Sequence, residues 1–222
     1  MSKNIVVVTP HPDDETLGCG GTLLKYKEKG YNLYWLIVTG MGETFTKERK
    51  QQRQNEIDIV TNAYDFKEVF QLDFPTAELD HIPMGDIIGR ISQVFSKITP
   101  HIVFTPYPGD IHSDHKVVFD ATMSCTKWFR YPSVERVLAY ETLSETDFSI
   151  NPDVNGFRPN VYINIDGFLE EKIRIMNIYA SEISAFPFPR SEKAIRSLAY
   201  LRGVASGYEE AEAFMLLKER VE

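Results

Sequence analysis

The chain has 222 residues, 43% hydrophobic and 25% charged, with a formal net charge of −8 from 24 basic and 32 acidic side chains. That length supports one sizeable α/β core, and an acidic balance without a basic run argues against a nucleic-acid backbone as partner. Cys19 and Cys125 are too far apart in sequence to suggest a disulfide framework or a thiolate zinc site, and no apolar stretch is long enough for a signal peptide or a membrane span. The expectation is therefore one domain over residues 1–222, located in the cytoplasm.

Asn4–Val8 is short and β-branched, the pattern of a strand buried inside a parallel sheet. Pro10 and Pro12 end it, since neither can donate to a ladder. Thr16–Glu28 suits a helix carrying Leu17, Leu23, Leu24 and Tyr26, and Gly30 suits its C-terminal cap. Leu33–Val38 reads as a second strand, Lys47–Ala63 as a charged helix, Glu68–Phe70 as a short strand and Asp73–Asp80 as a loop. Apolar residues at 84, 87, 88, 91, 94, 95 and 98 keep a helical period, which Pro100 breaks. His101–Thr105 is the next strand and Ser113–Phe129 the next helix. Arg136–Tyr140 and Asn160–Ile165 read as strands, Gly167–Tyr179 and Ser191–Arg202 as helices, and a last helix is expected from near Glu209. Strands alternating with helices predict a Rossmann-like, three-layer α/β/α fold with a mostly parallel sheet.

In such sheets, ligands bind beyond the carboxyl ends of the strands. Two polar clusters fall there. Thr9-Pro10-His11-Pro12-Asp13-Asp14-Glu15 follows the first strand, and His112-Ser113-Asp114-His115 follows a later one. Zinc favours imidazole nitrogen and carboxylate oxygen, and a catalytic site keeps three protein ligands. His11, Asp14 and His115 fit that set, which also matches a ferrous-iron triad. Asp13, beside a ligand, could take a proton from a bound water. His112 as an imidazolium could stabilise an oxyanion, with Asp114 holding it charged by pairing. The competing structural reading makes Asp13-Asp14-Glu15 a helix cap, where acids are favoured. Gly18-Cys19-Gly20-Gly21 lacks nucleotide-binding spacing and reads as glycines allowing close helix–sheet packing.

Pro10-His11-Pro12-Asp13-Asp14-Glu15 with Gly18-Cys19-Gly20-Gly21-Thr22, and then His112-Ser113-Asp114-His115, resembles the paired signatures of the LmbE-like, or PIG-L-type, N-deacetylases. Arg53-Gln54-Asn55-Glu56 and the tail from Arg202-Gly203 to Ala211-Glu212-Ala213-Phe214 look like bacterial members. The resemblance implies a zinc enzyme that removes acetyl from N-acetylglucosamine-type compounds. It implies His11, Asp14 and His115 as ligands, Asp13 as general base, and His112 as oxyanion stabiliser tuned by Asp114. It also implies Arg53 as a substrate contact, against which stands a solvated helix charge paired with Glu56. Where some members carry a tyrosine, this chain has Asp110; Asp13 or Tyr107 would then return the proton to the amine. Substrate preference is expected within Glu141–Arg158.

The expected partner is a small N-acetylated amino sugar, with homo-oligomerisation open. Three other readings compete: an amidase on another N-acyl or thiol–sugar conjugate, a non-catalytic carbohydrate- or nucleotide-binding module, and a ferrous-iron oxygenase. The alternating βα pattern disfavours the last, and a base such as Asp13, which mere binding does not require, disfavours the second.

Overall fold

The computed structural model describes residues 3–149 and 156–221. Its centre is a seven-stranded sheet in the order β3-β2-β1-β4-β5-β7-β6. Strands β1 (Asn4–Thr9), β2 (Asn32–Gly40), β3 (Glu68–Pro75), β4 (Ile102–Pro106) and β5 (Arg136–Tyr140) pair in parallel. β6 (Val161–Asn164) and β7 (Ala211–Glu219) close one edge, with β7 antiparallel to both β5 and β6.

Alternation along β1 shows how the layers form. Ile5 and Val7 join one core cluster, and Val6 and Val8 join the other, all four fully buried. On the first face lie α1 (Asp14–Glu28), α2 (Lys47–Tyr64), α5 (Leu169–Met176) and α6 (Glu192–Val204). On the second lie α3 (Met84–Ile98) and α4 (Ser113–Ser124). Two-sided burial is why the central strands read as continuous apolar runs. This is the three-layer α/β/α arrangement expected from the sequence.

The glycines of α1 have the packing role expected of them. A Cβ on Gly18 would collide with the Tyr140 ring, and one on Gly21 would sit 2.8 Å from Ile165. The close approach admits an unusual clamp. The buried Glu212 carboxylate on β7 accepts from the Gly21 and Thr22 N–H groups at 2.9 and 2.7 Å. Lys172 on α5 donates to that carboxylate at 2.6 Å and to the Leu17 carbonyl at 2.9 Å.

Several boundaries differ from expectation. The segment expected as a final helix from near Glu209 is strand β7. Its Ala, Glu, Leu and Lys favour helix, but partners on both sides and an inward Glu212 override that weak preference. α4 stops at Ser124 rather than Phe129. β3 runs on to Pro75 through a register shift at Ile37/Thr39, with Asp73 at positive φ, so the expected loop at Asp73 begins inside the strand. Residues 150–155 of the segment expected to govern substrate preference lie outside the described residues.

Candidate active site

The strand order reverses direction between β1 and β4, whose carboxyl ends carry the two polar clusters. A crevice at such a switch point is the expected ligand site of an open α/β sheet. Here it is a cavity of about 510 Å³ lined by His11, Asp13, Asp14, His112 and His115, with Arg53 and Arg190 in its wall.

Backbone geometry sets Asp13 apart from Asp14. The Asp13 carbonyl begins α1, accepting from the Thr16 and Leu17 N–H groups at 3.0 and 2.9 Å. Its side chain makes no capping bond, so its carboxylate is available to the cavity. Asp13 sits at φ 129°, a conformation that side chains rarely adopt. Its own N–H is held by the buried Glu15 carboxylate at 3.0 Å. Glu15 in turn accepts from the Thr16 and Tyr179 hydroxyls at 2.6 and 2.8 Å. Burial outweighs these hydrogen bonds and pushes Glu15 up to about 7.

His11, Asp14 and His115 bring one potential ligand atom each to within 4.8 Å of one another. Asp14 Oδ2 accepts the His11 N–H at 2.9 Å, and its Oδ1 lies 3.6 Å from His115 Nε2. Burial opposes ionisation of Asp14, but the His115 and His11 imidazoles outweigh it and hold its pKa down at about 2. Burial likewise opposes charging His11, and the Asp114 and Asp14 carboxylates reverse this, raising it to about 10. His115 is raised in the same way by Asp14 and Asp110.

His115 shows what the cluster is suited to hold. Its Nδ1 lies 2.8 Å from Oδ2 of the fully buried Asp110, whose Oδ1 accepts from the Thr146 hydroxyl at 2.6 Å. With Nδ1 donating, the neutral ring presents a lone pair on Nε2. That atom is buried and has no hydrogen-bond partner among the described residues. A carboxylate-oriented histidine with a bare second nitrogen, facing a carboxylate and a third nitrogen donor, is a fitting divalent-metal cradle. In a second grouping, His11, His112 and Asp114, the Asp114 carboxylate is already engaged by His11 and by two backbone N–H groups.

Those commitments correct two expectations. Asp114 directs its carboxylate to His11 Nε2 at 3.1 Å, and to the Ala77 and Leu79 N–H groups at 2.7 and 3.2 Å, rather than to His112. His112 is the N-cap of α4, its Nδ1 accepting the Asp114 N–H at 3.1 Å. Burial and the neighbouring His11 lower its pKa, and with Nδ1 accepting, the neutral ring carries its proton on Nε2. Tyr107, named above as a proton donor, is buried against Phe157 and lies outside the cavity lining.

Arg53 is buried and engaged by protein. It donates to the Pro12 carbonyl at 3.2 Å, pairs with Glu182, lies 3.3 Å from Glu56 and sits 5.5 Å over the Tyr179 ring. The expected Arg53–Glu56 pair thus forms, in the cavity wall rather than in solvent. Sequence reading missed Glu15, Tyr179, Glu182 and Arg190. Glu15 stands inside the first motif but shows there only as a capping acid, whereas Tyr179, Glu182 and Arg190 have no local signature because they come from a segment brought to the site only by folding. Asp110 stood out only as a departure at a tyrosine position.

The profile described as PIG-L: GlcNAc-PI de-N-acetylase matches residues 6–126, over half the chain. The chain belongs to the PIG-L family. It is 25% identical over 219 residues to a diacetylchitobiose deacetylase of Thermococcus kodakarensis, covering 95% of this chain and 81% of that one. It is 22% identical over 192 residues to a probable N-acetyl-alpha-D-glucosaminyl L-malate deacetylase 2 of Bacillus anthracis, covering 82% of each. Among solved structures, the conserved protein TT1542 of Thermus thermophilus superposes with a TM-score of 0.80 at 24% identity, covering 98% of this chain and 96% of that one. As a PIG-L member the chain is an enzyme, of a family that hydrolyses N-acetyl amides. No helix among the described residues is long and apolar enough to cross a membrane.

Proposed function

We propose that the chain is a zinc-dependent hydrolase that removes the N-acetyl group from an N-acetylglucosamine-type sugar or its conjugate, giving acetate and a free amine. The observation that carries the reading is the buried, unpartnered His115 Nε2 facing Asp14 beside the Asp13 carboxylate. The names of the relatives support the substrate class, and the cavity volume lies within the usual range for a small-molecule site.

His11, Asp14 and His115 would hold the ion; zinc suits this donor set, and ferrous iron is the alternative. Bound there, the ion would act as a Lewis acid on the acetyl carbonyl and lower the pKa of water toward ~7. Asp110 orients His115, and Asp114 orients His11. Asp13 takes the proton of the attacking water. Burial first, then the neighbouring Asp14 carboxylate, raises its carboxyl above the usual carboxylate range. The neutral His112 donates its Nε2–H to the oxygen that gains charge as the carbonyl carbon becomes tetrahedral. Asp13 then delivers its proton to the departing amine nitrogen, and acetate leaves. Arg53 braces the Pro12 carbonyl and so the turn bearing Asp13.

Elemental analysis paired with acetate release from a panel of N-acetylated sugars tests the reading. Near-stoichiometric zinc, with release by wild type and none by Asp13→Asn, is the expected result. Zinc-loaded protein that deacetylates no member of the panel would remove the sugar substrate. Failure to bind any divalent ion would remove the mechanism.

A further inference from the structure

Asp13 is held at both ends by one connected ring of contacts. Its N–H is fixed by Glu15, which is bonded to Tyr179, over whose ring Arg53 lies. Arg53 pairs with Glu182 Oε1, and Glu182 Oε2 lies 3.4 Å from Arg190 Nη2. Arg190 Nη1 closes the ring at 3.2 Å from Asp13 Oδ2. Asp13 Oδ1 has no hydrogen bond among the described residues, although its side chain is only 5% exposed. The two carboxylate oxygens are therefore not equivalent: one is tied to a cation and the other is left to the cavity.

The segment carrying Arg190 is built to hold it still. Pro189 precedes it, and Ser191 follows as N-cap of α6, its hydroxyl accepting the Ala194 N–H at 3.3 Å and its own N–H donating to the Phe188 carbonyl at 3.0 Å. The guanidinium also lies 5.6 Å over the Phe188 ring. Two neighbouring contacts, a capped helix and a proline leave the side chain few alternatives.

We propose that Arg190 is the positioning residue of the reaction: it anchors Oδ2 of Asp13 and so assigns Oδ1 to proton transfer. The inference rests on the reading of Asp13 as the base. Without the anchor, the carboxylate can turn about χ2 and present either oxygen, or swing toward Arg53. A base misplaced by about 1 Å costs rate rather than binding. Arg190 touches the base and not the bond that breaks, so its effect should fall on kcat.

The test uses the zinc-loaded full chain as wild type, Arg190→Ala and Arg190→Lys, with N,N'-diacetylchitobiose and N-acetylglucosamine as substrates, together with crystals of metal-free wild type and Arg190→Gln. Arg190→Ala should lose at least about tenfold in kcat, with KM within about threefold and zinc content unchanged. Arg190→Lys, or millimolar guanidinium added to Arg190→Ala, should restore part of the loss. In the Arg190→Gln crystals the Asp13 carboxylate should rotate away from its wild-type position. An unchanged kcat, a loss confined to KM, or an unmoved Asp13 in the Arg190→Gln crystals would each overturn the proposal. If wild type releases acetate from neither sugar, the deacetylase reading fails on its own, and the crystal comparison still decides the role of Arg190.

Discussion

Asp110 Oδ2 lies 2.8 Å from His115 Nδ1, and the other nitrogen of that ring is buried without a partner. A fully buried carboxylate thus fixes both the tautomer and the direction of the histidine. A partner of this kind typically changes metal affinity by 10–100-fold. Asp110→Asn should weaken zinc binding by about that factor while leaving the thermal melt of metal-free protein nearly unchanged. Chelator competition reads the affinity.

His115→Ala and Asp13→Asn separate holding an ion from using it. The first should lose zinc by elemental analysis and keep its circular dichroism. The second should keep zinc and lose about 10²–10⁴ in kcat, the usual effect of removing a general base. Turnover at the wild-type rate in Asp13→Asn would take Asp13 out of the mechanism.

Glu15 links the site to pH. Its pKa rises on folding from 4.5 to about 7, so the folded chain binds that proton more tightly than the unfolded chain does. The associated stability is complete below pH 4.5 and is lost as pH rises through 7. Glu15→Gln cannot titrate. In urea titrations of metal-free protein, the stability of wild type relative to Glu15→Gln should fall across that interval, by up to about 3 kcal/mol, and then level off. A difference independent of pH would show that Glu15 does not titrate there.

The Lys172–Glu212 clamp should be costly to break and cheap to replace. Glu212→Ala leaves a buried ammonium and two N–H groups of α1 without their acceptor. A loss of about 3–5 kcal/mol is expected in urea unfolding. Lys172→Met combined with Glu212→Gln removes both charges and should recover part of that loss.

Gly21→Ala probes how closely α1 approaches Ile165. The added methyl would sit 2.8 Å from Ile165, so strain of about 1–3 kcal/mol is expected despite the better helix propensity of alanine. A stabilised variant would show that this contact relaxes freely.

Local pattern was enough to set the layers and the position of the site. Buried strands such as Val6–Val8 and Val103–Thr105 are local runs of apolar, β-branched character, and their period does not depend on partners. His11, Asp13, Asp14, His112 and His115 stand immediately after two of those strands, so parallel pairing alone brings them to one crevice. What local pattern could not settle were contacts between distant segments. Ala211–Glu219 has helix-favouring residues and became a strand only because β5 and β6 flank it. Asp114 sits beside His112 in the chain yet bonds to His11, because the N-cap geometry of α4 turns its carboxylate away. Arg190 reaches Asp13 across 177 positions of sequence. A side chain's charge and shape are written in the sequence; which oxygen or nitrogen it faces is decided only when the sheet closes and the elements pack.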